Sequence, residues 1–493
     1  MRNLPVTLFL ISIIVLSSCA VNRNYTPAKK YPKEALREDF TLMRSILEKK
    51  HPSLYWYTSK DSMDRYFDYY YRAINDSMSE QQFAWHILAP VVDKIHCGHT
   101  SVSMSKAFGQ WSVGRRLPSF PLFLKIWNDT MAVTGSLTRR DSIFKRGTII
   151  KAINGQTTNR LVNNMFNYLP EDGRANNFNY IRLSSNFPYY HRNIMGLSKT
   201  YFVSYIDSTG KAATATVPLY TPPRDSIRKD SLKRMVRPKQ PRVNRILAHR
   251  SLVIDSSKKL AVLTLNSFTR GHLRTFFRRT FRTLEKENIN NLVLDIRSNG
   301  GGRVGLSTLL TKYISREPFK VADSLYAVTR NLGPYTKHVK GKFLNNIELL
   351  FISHKKKDGL YHIRHLEKKV YNPKKKRYNG DVYVLTSGPT FSASTIFSNA
   401  VKGQPGITLL GEETGGGWHG NNGIMIPDVT LPNTKTRFRL PLFRLVQFNH
   451  QPKTGTGIIP DIYVGTSYDA LLKSYDKKMQ VVKERIFLKD KEQ

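Results

Sequence analysis

Residues Asp381 to Gly417 read DVYVLTSGPTFSASTIFSNAVKGQPGITLLGEETGGG, and this stretch organises the rest of the chain. An apolar run from Val382 to Leu385 enters a Gly-Pro turn, and small residues follow around Ser392. An amphipathic pattern then continues from Ile396 to Val401, so the stretch predicts a strand, a sharp turn and a helix. Such a turn places the Ser392 hydroxyl beside helix N-terminal amides, where negative charge is favoured. Ser392 is therefore a candidate nucleophile, and the competing interpretation is an ordinary helix N-cap.

Two apolar strands upstream indicate a parallel sheet. They run from Leu260 to Leu265 and from Asn291 to Ile296, and an amphipathic pattern from Leu273 to Leu284 lies between them. Strand, helix and strand in about forty residues predict a βαβ unit. Three glycines, Gly300 to Gly302, follow the second strand and let backbone amides approach a ligand closely. The Lys-Ser/Thr end of a phosphate loop is absent, which excludes nucleotide binding at this turn.

The chain of 493 residues is long enough for several domains and a large core. Its 78 Lys and Arg against 36 Asp and Glu give a formal charge of +42. A positive charge of this size attracts a protein electrostatically to lipopolysaccharide, anionic lipid or nucleic acid. The basic residues are spread over runs such as 220–250 and Lys355 to Arg377 rather than one groove-like motif. We interpret the charge as adaptation to an envelope surface, without a specific nucleic-acid partner.

The N-terminus has the pattern of an export signal. An apolar run from Val6 to Leu16 follows an arginine, is too short to span a membrane and ends in LSSC, residues 16–19. This ending resembles the lipobox of bacterial lipoproteins, in which Cys19 would carry the lipid. A plain signal peptide with an incidental cysteine is the alternative. With Cys19 lipidated, Cys97 has no partner for an intramolecular disulfide.

Residues 119–218 have the pattern of short β-strands. The order of Gly147, an apolar strand, an Ile-Asn-Gly turn ending at Gly155 and a helix-like run from Leu161 to Phe166 resembles a PDZ domain. Such domains take up a peptide as an added strand. A common hairpin is the alternative.

Five ordered motifs resemble the tail-specific, or C-terminal processing, serine protease family with its tricorn-like and interphotoreceptor retinoid-binding relatives. They are CGHT (97–100), LDIRSNGGG (294–302), TFSAS (390–394), LLGEETGGG (409–417) and GTGIIPDIYV (455–464). The resemblance covers most of the chain beyond residue 33. It implies an α/β fold with a crotonase-like (ClpP/crotonase) core, an N-terminal helical domain and an inserted PDZ-like β domain.

The resulting domain prediction has seven consecutive parts. They are a signal peptide (1–19), a tether (20–32), a helical domain (33–104), a PDZ-like domain (118–219), a basic linker (220–250), a peptidase core (251–470) and a basic C-terminal tail (471–493).

The resemblance also implies roles for individual residues. The nucleophile falls on Ser392, and the oxyanion hole on the amide of Ala393 with that of Gly300 or Gly301. Two backbone N–H groups fixed in this way can hold the oxyanion of a tetrahedral intermediate.

The base differs from that of the processing proteases, because their lysine falls on Gly417 here. The tricorn-like branch uses a histidine from the N-terminal domain, and His99 is the matching candidate. The alternatives are that His99 is a hydrogen-bonded structural histidine, or that His419 is the base. His96 and His99 lack a surrounding ligand set, so no metal and no cofactor are expected.

The sequence does not assign the third catalytic residue. The tricorn-like branch has a glutamate before the Gly-x-x-Pro-Asp motif, and Thr454 stands in that place. Glu412 or Glu413 could orient the base, or could bind backbone within their own turn.

Together these observations predict a serine peptidase anchored by lipid in the cell envelope, with a peptide or protein substrate. Because Ala20 is not an acidic retention signal, we expect the anchor in the outer membrane, facing the periplasm. A non-catalytic peptide- or lipid-binding lipoprotein on the same scaffold is the alternative, and a polyanion binder driven by charge is a third.

Overall fold

The computed structural model describes residues 25–138, 141–207, 209–223, 246, 248–255, 257, 259–339, 353–452 and 454–492. Cys19 and most of the basic segment 220–250 lie outside these residues. Within the described ranges, no helix is long and apolar enough to cross a lipid bilayer.

The N-terminal part is mainly helical. Its elements are β1 (Lys30–Tyr31), α1 (Lys33–Lys50), α2 (Lys60–Arg72), β2 (Met78–Ser79), α3 (Glu80–Phe83), a π-helical turn (Ala84–Leu88), α4 (Ala89–Asp93), β3 (Val102–Ser103) and α5 (Lys106–Ser112). Helix α1 buries one apolar stripe, which includes Leu36, Phe40 and Met43. His99 lies in the loop between α4 and β3.

The next part is an antiparallel sheet with three helices. Its elements are β4 (Leu122–Trp127), β5 (Thr130–Ser136), β6 (Ile149–Ile153), β7 (Gln156–Thr157), α6 (Thr158–Phe166), α7 (Asn177–Ser185), α8 (Phe187–Ile194), β8 (Thr200–Ile206) and β9 (Ala212–Pro218). The strand order is β4-β5-β6-β8-β9, with β7 beside β6. Asn154 and Gly155 both have positive φ between β6 and β7, as a tight hairpin requires. The description of this part as PDZ-like stays a prediction.

The core is a mixed six-stranded sheet in the order β10-β11-β12-β18-β19-β24, parallel except for β10. The first elements of this part are β10 (Arg250–Asp255), β11 (Leu260–Leu265), α9 (Leu273–Lys286), β12 (Asn291–Asp295) and α10 (Val304–Ile314). They are followed by β13 (Phe319–Lys320), β14 (Ala322–Ala327), a 3₁₀ helix (Gly333–His338), β15 (His354–Lys355), β16 (Tyr361–His362), α11 (Arg364–Glu367) and β17 (Val370–Tyr371). The last are β18 (Asp381–Thr386), α12 (Ala393–Val401), β19 (Ile407–Gly411), β20 (Gly420–Asn421), β21 (Asp428–Thr430), β22 (Arg437–Arg439), β23 (Arg444–Gln447), β24 (Ile462–Tyr463), α13 (Tyr468–Lys473) and α14 (Lys477–Glu492). Both faces of the sheet are covered: Leu292 and Leu294 pack with the helices α9, α10 and α12, and Val293 packs with α14. The predicted βαβ unit is therefore present as β11, α9 and β12, with β11 and β12 parallel.

Helix α12 differs from the amphipathic segment that the sequence predicts. Every residue from Ala393 to Val401 is buried. Ile396 packs in the core shared with the N-terminal helices, whereas Phe397 packs in the core of the main sheet. The polar residues of this helix are enclosed by a second layer of protein, which a sequence pattern does not reveal.

The C-terminal segment also differs from the predicted basic tail. It forms α13 and α14, and Val482 and Ile486 of α14 are buried against the main sheet. Lys483, Arg485 and Lys489 of α14 are exposed, whereas Lys478 pairs with Glu412. The high charge of the segment therefore conceals its apolar contact with the sheet.

Candidate active site

Ser392 lies at the turn between β18 and α12, with backbone angles φ 56° and ψ −119°. A positive φ is uncommon for a residue with a side chain, and such strain clusters at functional sites. Backbone hydrogen bonds hold the turn, among them those from Phe391 N–H to Asn299 O (3.2 Å) and from Ile396 N–H to Ser392 O (3.0 Å). The Ser392 side chain makes no capping hydrogen bond to the helix. Its geometry therefore differs from that of an ordinary N-cap.

The glycine turn after β12 packs directly against this serine. A Cβ at Gly301 would lie 2.7 Å from Ser392 Cβ and 2.9 Å from Ala393 N. Gly301 N–H donates to Asn299 Oδ1 at 2.9 Å, so this donor is already used within the turn. Gly300 N–H has no acceptor in the described part of the chain, and Ala393 N–H is one of the first amides of α12. Of the two glycines proposed for the oxyanion hole, the geometry favours Gly300.

The candidate nucleophile Ser392 and the candidate base His99 meet beside Gly423. A Cβ on this glycine would lie 2.7 Å from Ser392 Oγ and 3.0 Å from His99 Nε2. The two side chains thus face one small space, although they are far apart in sequence. The described residues show no direct hydrogen bond between them, and unliganded sites are often looser than the reacting complex.

His99 is held by the residues around it in the CGHT motif. Its ring stacks on Phe391, the residue before Ser392, with centroids 4.6 Å apart. A Cβ at Gly98 would lie 2.8 Å from Phe391 Cζ, so glycine lets the loop approach this closely. Burial raises the pKa of Cys97 to about 11, and this thiol is free and buried. Cys97 therefore fills space as a neutral group.

Asp172, which the sequence analysis missed, lies behind the His99 ring. Its Oδ1 is 3.8 Å from His99 Nδ1, and the two side chains are 4% and 5% exposed. The same oxygen accepts the Gly98 N–H at 2.8 Å, which aims the carboxylate at the histidine loop. Its other oxygen accepts the N–H of Gly417 at 3.4 Å. A carboxylate on this side of the ring is the arrangement that orients a catalytic histidine.

Glu412, Glu413 and Thr454, which the sequence analysis considered for the third catalytic position, make contacts away from His99. Glu412 accepts from Lys478 Nζ at 2.9 Å. Burial opposes ionisation of Glu412, but Lys478 outweighs it, and the pKa of this carboxyl is lowered. Glu413 accepts the Gly457 N–H at 2.6 Å. Thr454 is exposed and hydrogen-bonds a neighbouring threonine. The glutamates therefore stabilise their own turn and its surroundings.

His419, the weaker candidate base, stacks on Trp56 with ring centroids 5.3 Å apart. Within the described ranges, no group of three or more His, Cys, Asp or Glu side chains could hold a metal ion.

A second buried histidine supports the loop that carries His99. His51 Nε2 lies 2.8 Å from the Thr100 hydroxyl oxygen. Burial, followed by the nearby Arg444 guanidinium, lowers the pKa of His51 to about 3. His51 is therefore neutral near pH 7 and fixes the residue next to His99.

The core sequence is similar to that of a known peptidase family. Residues 259–464 match the sequence model described as Peptidase family S41. This match spans the core and less than half of the 493 residues of the chain. No curated protein matches the sequence.

Two solved structures share the overall fold of this chain. Mature CPAF has a TM-score of 0.61 at 12% identity, over 89% of this chain and 94% of that chain. Mature CPAF complexed with lactacystin has a TM-score of 0.62 at 11% identity, over 92% of this chain and 98% of that chain. At these identities the likeness shows a mixed α/β fold of the S41 type, and the mixed parallel sheet is consistent with a crotonase-like core.

Proposed function

We propose that the protein is a serine peptidase in which Ser392 is the nucleophile and His99 the general base. The observation that carries this proposal is the convergence of Ser392 Oγ and His99 Nε2 on the space beside Gly423. The match of residues 259–464 to peptidase family S41 supports it, because that family implies peptide or protein substrates.

In this mechanism His99 Nε2 takes the hydroxyl proton as Ser392 Oγ bonds to the carbonyl carbon of the substrate. His99 Nδ1 keeps its hydrogen toward Asp172, so Nε2 holds the lone pair that accepts the proton. Asp172 is the positioning residue, and its negative charge favours the imidazolium that forms. The imidazolium then protonates the leaving amine, and water hydrolyses the acyl-enzyme by the same two steps.

The amides of Ala393 and Gly300 supply the oxyanion hole in this proposal. Both belong to turns fixed by the strands β18 and β12, so the donors need no reorganisation as charge develops. Loss of one such donor typically slows the reaction about 100- to 1000-fold.

We further propose the finer assignment that the chain belongs to a tricorn-like branch without the catalytic lysine. Gly417 stands where that lysine would be, and a Cβ there would lie 3.3 Å from Asp172 Cβ. We also propose the PDZ-like domain as a peptide-binding accessory and Cys19 as a lipid anchor in the outer membrane, facing the periplasm. The LSSC motif supports this anchor, and loss of the lipid mass in Cys19→Ala tests it.

The experiment is hydrolysis of an unfolded protein by the wild type, Ser392→Ala and Ser394→Ala. Ser394 is the matched control, since it is two residues away and fully buried. We expect Ser392→Ala to lose activity and Ser394→Ala to keep it. Equal activity of the wild type and Ser392→Ala would refute the nucleophile.

The alternative is a non-catalytic peptide- or lipid-binding protein on the same scaffold. The 3.8 Å gap between His99 Nδ1 and Asp172 Oδ1, longer than a hydrogen bond, is the observation that favours it. Peptide binding without cleavage over long incubation would support this function.

A further inference from the structure

Helix α9 and the segment before β18 form a basic pocket beside the main sheet. Its volume is about 690 Å³. The six cationic residues around it define the basic pocket: Arg278, Arg282, Lys374, Lys375, Lys376 and Arg377. Glu285 is the acidic residue in its lining.

The lysine-rich segment that forms one wall is fixed to the core. Lys374 N–H donates to Lys312 O at 2.7 Å, and Tyr378 N–H donates to Tyr313 O at 2.7 Å. The Lys374 ammonium lies 4.8 Å from the centroid of the Tyr313 ring. The sequence alone is compatible with a solvated charge run, whereas the structure anchors the backbone of this segment at Lys374 and Tyr378.

The opposite wall is the exposed side of helix α9. Arg278 and Arg282 are four residues apart and exposed, so they are neighbours on one helix face. Like charges at this spacing destabilise a helix. A bound anion would offset both this repulsion and that of the facing lysine segment.

The floor of the pocket is apolar. Leu284 and Ile289 line it, together with Phe281, whose ring stacks on Tyr313 with centroids 4.5 Å apart. Tyr378 also lines the pocket, is 7% exposed, and its hydroxyl has no hydrogen-bond partner in the described part of the chain. The pocket thus combines a cationic rim with an apolar floor and a buried polar atom.

We propose that the basic pocket binds a phosphorylated amphiphile, with phosphate oxygens against the cationic rim and an apolar portion against the floor. Arginine pairs with phosphate through two parallel N–H donors, and lysine adds point charges. An anionic phospholipid has this combination of groups. The assignment does not depend on the proposed peptidase activity.

The test is titration calorimetry of the purified protein with dihexanoyl phosphatidic acid below its micelle concentration. At 150 mM salt, long-range attraction by the diffuse net charge is screened over about 8 Å. We expect saturable one-to-one binding, and weaker binding of dihexanoyl phosphatidylcholine. Equal affinity for the two lipids, or no saturable binding, would overturn the proposal.

Two double variants locate the site. Arg278→Gln/Arg282→Gln and Lys375→Gln/Lys376→Gln should each weaken phosphatidic acid binding at least about tenfold. The matched control, Lys483→Gln/Arg485→Gln, removes the same charge from exposed positions of α14 and should change affinity less than about twofold. An equal loss in the control variant would assign the binding to net charge and overturn the site.

Two competitors distinguish the ligand class. Inorganic pyrophosphate should bind more weakly than phosphatidic acid, because it lacks the apolar portion. Pyrophosphate binding as tight as that of the lipid, or tighter binding of a short oligonucleotide, would contradict the amphiphile assignment.

Discussion

Asp172 Oδ1 lies 3.8 Å from His99 Nδ1, and both side chains are almost completely buried. The two residues come from different parts of the fold, because His99 follows helix α4 and Asp172 lies between α6 and α7. The region predicted as PDZ-like therefore contributes a charged residue to the site. Closing the gap by less than about 1 Å would make a hydrogen bond between them.

Asp172→Asn should lower kcat at least about 100-fold, because the amide no longer stabilises the imidazolium or selects the His99 tautomer. The measurement is the pH dependence of kcat for the wild type and the variant. A positioning role predicts a changed profile as well as a lower rate. Glu171→Gln is the control, since Glu171 is adjacent but faces His96 at 3.7 Å. A comparable loss with an unchanged pH profile in both variants would indicate a structural role only.

Gly423→Ala should fill the space that Ser392 and His99 share and so slow peptide hydrolysis. The added methyl group would lie 2.7 Å from Ser392 Oγ and 3.0 Å from His99 Nε2, which separates nucleophile and base. We expect at least about a 100-fold loss of kcat/KM, measured beside a thermal melt. Gly305→Ala is the matched control, because a Cβ there meets no atom within 4 Å. Full activity of Gly423→Ala would contradict the described site.

Stability should fall as the pH drops from 6.5 toward 4. Burial lowers the pKa of His191 to about 4 in the folded protein, whereas an unfolded histidine titrates near 6.5. The unfolded state therefore binds more protons in this window, and the stabilisation present above pH 6.5 is lost progressively below it. This group contributes roughly 3 kcal/mol to the loss.

The measurement is the free energy of unfolding from urea melts at several pH values. His191→Leu should flatten the decline between pH 6.5 and 4, whereas His365→Leu on the exposed surface serves as the comparison. An unchanged slope in His191→Leu would show that this histidine is not the group responsible.

The sequence predicted the parts of the site that lie in short contiguous motifs. Ser392 was predicted from the local signature of a strand, a tight turn and a helix start, and the glycines after β12 from their run of three. The role of Ala393 was predicted through the family resemblance. His99 was found through its resemblance to a histidine in a related branch. The structure brings all of them to one place.

Asp172 was missed because its position depends on tertiary structure alone. It follows Glu171 and precedes Gly173 in an ordinary acidic turn, and no motif connects that turn to CGHT. Helix α12 was predicted as amphipathic for a similar reason, because its polar residues are enclosed by a layer formed from distant parts of the chain. A sequence pattern shows the periodicity of a helix. Whether its polar face is also buried depends on distant parts of the chain that pack against that face.

The most direct test of the account is labelling with a fluorophosphonate probe followed by peptide mass mapping. We expect a covalent adduct on Ser392 in the wild type and in Ser394→Ala, no adduct in Ser392→Ala, and slower labelling in His99→Ala. Equal labelling of the wild type and Ser392→Ala, or an adduct mapped to another serine, would contradict the assignment of Ser392 as nucleophile.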